Sequence, residues 1–188
     1  MAIGKNDFAR TRGLAYLLDE AEVRPQEAVP LLAELYPYER RTRLLIMSHP
    51  VHARGAVKKG LRSDAPEVVE ASIGLVADLR IEEALPDLLP FVGLPRETAR
   101  DAKMRLGALS AMIAFGDAAV PLLERLLGDD ADPLGQLDAI GVLRAIGTAS
   151  ARTALRRGRD TGGAGGPGGA LLREEIEQAL QSMDGERE

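Results

Sequence analysis

The chain has 188 residues, 45% hydrophobic and 28% charged, with a formal net charge of −5. That is enough apolar material for a folded core, but aromatics are only 3% and Trp is absent, so the core must be built from Leu, Ala, Val and Ile. With no cysteine, disulfides, thiolate metal sites and a Cys nucleophile are excluded.

Residues 1–7 hold no apolar run of signal-peptide length, and no window of about 18 apolar residues is read anywhere, so a soluble cytoplasmic protein is expected. From residue 7 to residue 62 the apolar spacing is helical but the helices look short. Val68, Val69, Ser72, Ile73, Val76 and Leu79 predict a helix, followed by a second over Glu82 to Val92. Ala102 to Phe115 pairs in the same way with Ala118 to Leu127. Leu134, Leu137, Ile140, Leu143 and Ile146 step by three and are read as one buried helical face. Leu109, Ile113, Leu122, Leu123, Val76 and Leu88 are further core candidates.

The joints carry helix punctuation. Gly116-Asp117 and Gly147-Thr148 each end one helix and cap the next, because Gly tolerates a left-handed turn and Asp or Thr accepts from free N–H groups. Ser63-Asp64-Ala65-Pro66 and Asp129-Asp130-Ala131-Asp132-Pro133 place caps and a proline before the following helix. Pro30, Pro86 and Pro121 are expected near the starts of second helices. Residues 161–169 are glycine-rich and read as a flexible linker, with no Lys-Ser/Thr to make a phosphate loop. Ala170 to Met183 forms an amphipathic helix with Leu171, Leu172, Ile176 and Leu180 on one side and Glu174, Glu175 and Glu177 on the other.

A short phrase recurs through these elements: Ala28-Val29-Pro30, Ala56-Val57-Lys58, Ala84-Leu85-Pro86, Ala119-Val120-Pro121 and Ala154-Leu155-Arg156. Its alanines are 28, 28, 35 and 35 residues apart, the spacing of a repeat architecture. The unit of helix, Gly-Asp turn, Ala-Val-Pro-Leu-Leu and Asp-rich loop with Pro, clearest over Arg105 to Pro133, resembles the short HEAT repeats of the phycobilisome lyase HEAT-like proteins. The resemblance is strongest over 67–158. It implies an all-α fold: an α-solenoid of about five antiparallel helix pairs over residues 1–160, a linker at 161–169, and a capping helix and tail at 170–188. Second helices would line a concave face.

Sites for chemistry are scarce. Asp130-Ala131-Asp132 opens like a calcium loop, but Leu134 fills the third ligand position and the twelfth lacks a Glu, so helix capping explains the aspartates. His49 and His52 lack further metal ligands. Glu82, Glu83 and Asp87 read as a solvated helix face rather than acid/base groups. No catalytic, cofactor-binding or metal-ligating residue is therefore nominated, and the chain is read as a non-enzyme.

One cluster rises above this background. Arg40, Arg41, Arg43, Arg54, Lys58, Lys59 and Arg62 are seven cations in a stretch without a single acid, leaving the rest of the chain near −12. Arg54, Lys58 and Arg62 fall at i, i+4 and i+8 of one helix, and single-sign clusters attract oppositely charged partners. Pairing with acids of neighbouring units, Glu34, Glu39, Glu67, Glu70, Glu82 or Glu83, is the competing explanation. Three functions follow as expectations: a scaffold or adaptor that holds a protein with an acidic surface; a maturation factor similar to bilin lyase subunits; or a nucleic-acid binder resembling HEAT-like DNA repair glycosylases in fold. No membrane partner is expected.

Overall fold

The computed structural model describes residues 5–37, 39–95, 97–128, 132–161 and 167–185. Among these residues there is helix and no strand. Asp129 to Ala131 of the Asp-rich turn and residues 162–166 of the glycine run lie outside the described residues. The chain divides into two compact units, Met1–Ile81 and Glu82–Glu188. The C-terminal helix expected to cap the array falls within the second unit.

The first unit holds α1 (Lys5–Val23), α2 (Pro25–Leu35), α3 (Arg40–Ser48), α4 (Pro50–Gly60) and α5 (Pro66–Asp78). Pro25, Pro50 and Pro66 each open a helix, where the missing N–H would have had no partner anyway. α2 packs along α1 and α4, and α4 along α5. Lys59 near the end of α4 reaches Glu34 near the end of α2 at 2.5 Å, so these two helices run in the same direction. At 19 residues α1 is not short, contrary to expectation.

The second unit begins with a 3-10 turn at Glu82–Ala84, the single turn α6 (Leu85–Leu88) and another 3-10 turn at Leu89–Phe91. The continuous helix expected over Glu82 to Val92 does not form. Pro90 has no N–H to give the Pro86 carbonyl, so the helical ladder cannot pass that point. Then follow α7 (Ala99–Phe115), a 3-10 turn at Gly116–Ala119, α8 (Val120–Leu127), α9 (Pro133–Ile146), α10 (Ala149–Thr161) and α11 (Pro167–Gly185). α9 packs against α7, α8 and α10, α8 lies beside α10, and α11 covers α9 and α10. Residues 99–127 contain a window long and apolar enough to cross a membrane, more apolar than the sequence reading allowed. Gly116, at φ 59°, breaks that stretch into two helices.

Of the caps read from the sequence, Asp132 and Thr148 act as such, whereas Asp117 lies inside a 3-10 turn and α5 opens after Ala65, neither with a side-chain cap; Thr98 is a cap that the sequence reading did not name. Thr98 Oγ1 accepts from the Asp101 amide at 3.0 Å, Asp132 from Gly135 at 2.8 Å, and Thr148 from Ala151 at 3.2 Å. Gly147 closes α9 at φ 71°, in the left-handed region. Pro121 and Pro86 sit in first turns, but Pro30 lies inside α2, because Pro25 already supplies the start.

The recurring phrase maps onto one structural position. In all five copies the Ala and the apolar residue after it are buried, and so is the residue four places after the Ala: Leu32, Gly60, Leu88, Leu123 and Gly158. The third residue of the phrase is never buried. Where this buried position is Gly, the neighbouring helix fills it: a Cβ on Gly60 would meet Ser72 Oγ at 2.2 Å, and one on Gly158 would meet Leu127 at 2.8 Å. α11 buries Leu172, Ile176, Ala179, Leu180 and Met183 but leaves Leu171 exposed. The glycine stretch is shorter than read, since α10 runs through Thr161 and α11 starts at Pro167.

The step-of-three stripe on α9 is a correction. Ile140 and Leu143 are buried, while Leu134 and Leu137 are 42% and 38% exposed. Three residues turn an α-helix 60° short of a full circle, so four such steps wander around the axis instead of marking one face. The face that is buried runs through Gln136, Ala139, Ile140 and Leu143. Ile113 is likewise exposed, and Leu109 and Leu122 are half-buried. Leu123, Val76 and Leu88 are core as expected.

Candidate functional site

The basic cluster occupies α3, α4 and the turn beyond. Arg40 and Arg41 are exposed in the first turn of α3, Arg43 is half-buried one turn on, and Arg54 and Lys58 lie on α4. Arg62 does not share their stripe. α4 ends at Gly60, the Arg62 amide turns back to the Lys59 carbonyl, and Pro66 holds the residue before it extended.

At least two of the cations are spent inside the unit. Arg43 donates to Asp78 at the end of α5, and Lys59 pairs with Glu34 on α2. Glu34 was among the acids named for such pairing; Asp78 was not. Among the described residues Arg40, Arg41 and Lys58 have no ion pair.

Helix electrostatics separates these cations further. Lys58 and Lys59 stand in the last turn of α4, where the helix dipole favours positive charge. Arg40 and Arg41 stand in the first turn of α3, where it disfavours them, and no acid shares that turn. The fold accounts for the lysines and not for the two arginines.

Arg41 also borders a groove of about 600 Å³ between α1 and α3. Its floor is apolar: Leu14, Ala15 and Leu18 from α1, Leu44 and Leu45 from α3. Exposed apolar side chains also accumulate on α1 to α4, with Tyr16, Val23, Leu31, Leu35, Leu44, Met47 and Val51 all well exposed. Sequence reasoning missed this groove because leucines at helical spacing look like core whether or not a neighbour covers them.

His49 ends α3 and begins α4, its Nδ1 lying 2.9 Å from Ser48 Oγ and 3.2 Å from the Leu45 carbonyl. His52 stacks near it, ring centroids 6.4 Å apart. Among the described residues no group of three or more His, Asp or Glu is placed to hold a metal ion. In the second unit Glu82 and Glu83 are exposed at the edge of a shallow hollow with Leu85, Pro86, Ala118 and Leu122.

A buried ion pair that the sequence did not announce organises the second unit. Arg105 on α7 donates through both Nε, at 2.6 Å, and Nη2 to the Asp138 carboxylate on α9. Asp138 also accepts from the Gly93 amide at 3.0 Å, tying down the loop before α7. Hydrogen bonding to Asp138 raises the Arg105 pKa above its ordinary value, against the opposing pull of burial. The pair faces protein on all sides, so it is architecture rather than a site. No protein family, curated protein or solved structure matches this chain.

Proposed function

We propose that this protein is a non-enzymatic helical-repeat adaptor of the HEAT type, an α-solenoid whose first unit holds a protein partner with an acidic surface. What supports the reading best is where the apolar surface lies. Among the described residues, seven of the twelve large hydrophobic side chains that remain exposed belong to α1–α4, in the unit that also carries Arg40 and Arg41. Exposed apolar residues gathered beside charge are the usual make-up of an interaction surface. The repeated buried register of the five Ala-apolar phrases supports the repeat assignment. Arg40, Arg41, Arg54 and Lys58 would supply the attraction, with Arg43 and Arg62 at its margin.

The test is affinity capture from the native host with wild-type bait and with two variants, Met47→Glu/Val51→Glu and Arg54→Glu/Lys58→Glu. A protein kept by the wild type, weakened by both variants and by added salt, supports the adaptor reading. A copurifying pigment would favour a chromophore-maturation factor instead. Salt-dependent binding to duplex DNA would favour a nucleic-acid binder.

A further inference from the structure

We propose that the groove between α1 and α3 is the docking site for a basic amphipathic helix of a partner protein. This rests on reading the protein as an interaction module, but not on its basic residues.

The groove has the shape and chemistry for such an occupant. Both walls are helices, and the apolar stripes of Leu14 and Leu18 on one side and Leu44 and Leu45 on the other leave a trough that none of the described residues of the first unit covers. A third helix laid between two others, with apolar residues at i, i+3, i+4 and i+7, is the standard way such a trough is filled.

The rim decides the charge. Ala15, Asp19 and Glu22 follow one another at i, i+4 and i+7 on α1, so its apolar strip runs straight into two exposed carboxylates. Glu39 adds a third before α3, against the single guanidinium of Arg41. A helix whose apolar face is flanked by Lys or Arg meets complementary charge here, while one flanked by Glu meets repulsion. A second copy offering its own amphipathic helix α11 has the wrong sign, because Glu174 and Glu177 are exposed on that helix.

The probe is a pair of synthetic helical peptides with leucine at i, i+3, i+4 and i+7, the other positions lysine in one and glutamate in the other. Binding to the full-length protein is followed by fluorescence anisotropy and by leucine-methyl NMR. The lysine peptide should bind at least tenfold more tightly at low salt and shift the methyls of Leu14, Leu18, Leu44 and Leu45. Asp19→Lys with Glu22→Lys, both exposed and harmless to folding, should reverse the preference. Leu18→Glu should weaken binding tenfold or more with an unchanged circular dichroism spectrum.

Equal affinity for the two peptides overturns the proposal. So does lysine-peptide binding that ignores the Asp19/Glu22 reversal, which would place it on acidic surface elsewhere. Self-association abolished by Leu18→Glu would make the occupant a second copy and also overturn it. Arg54→Glu/Lys58→Glu should leave peptide affinity within twofold, so a failure here is distinguishable from a failure of the adaptor reading.

Discussion

Arg105 and Asp138 meet as a two-pronged ion pair inside the second unit, each side chain less than a tenth exposed. The carboxylate that closes the pair also receives the Gly93 amide, so one residue joins α7, α9 and the loop at 92–95. Replacing Asp138 by Ala leaves a buried guanidinium uncompensated, which should cost about 3 to 5 kcal/mol. Replacing both partners by residues of similar volume, Arg105→Met with Asp138→Leu, should recover most of that loss, because neither charge then needs solvating. Urea unfolding of the two variants checks this. A cheap Asp138→Ala change would mean that water reaches the pair.

Gly60 and Ser72 make a second close contact, between α4 and α5. Ser72 is buried and its hydroxyl has no hydrogen-bond partner, while a Cβ on Gly60 would collide with it. Gly60→Ala should therefore destabilise by about 1 to 3 kcal/mol, as overpacking does. Ser72→Ala removes an unpaired buried hydroxyl and should be neutral or mildly stabilising. The double variant should be nearly as stable as the wild type. Additive thermal-melt effects in the double-mutant cycle would show that the two residues do not compete for the same space.

The α9 stripe shows how far the sequence could be read and where it misled. Leu143 is fully buried, so Leu143→Ala should cost about 2 to 5 kcal/mol. Leu137, 38% exposed, should cost about 1 kcal/mol or less on the same change. Chemical denaturation of the pair checks the helix phase directly. The Ala-apolar phrase was legible because it recurs, and every copy lands on a buried position. Caps such as Asp132 and Gly147 were legible because their chemistry is local.

Tertiary choices were not legible. Nothing local says that Arg105 would find Asp138 33 residues away, or that α3 would leave Leu44 uncovered. The basic cluster was visible as composition, but its division came only with the fold. Arg43 went to Asp78, Lys59 to Glu34, and Arg62 fell beyond the end of α4.

That division yields the last prediction. The Lys59–Glu34 pair is 70% and 38% exposed, so Lys59→Ala should lower stability by less than about 1 kcal/mol. Arg43→Ala, removing a half-exposed pair with Asp78, should cost about the same. Arg40→Glu should instead stabilise by about 0.3 to 1 kcal/mol, because it puts a carboxylate where the α3 dipole favours one. The same change removes positive charge from the proposed partner surface and should slow association with an acidic protein. Thermal melts and binding kinetics on this one variant therefore should move in opposite directions. If Arg40→Glu destabilises the protein, the arginine is held by the fold, and the case for a functional role at the start of α3 falls with it.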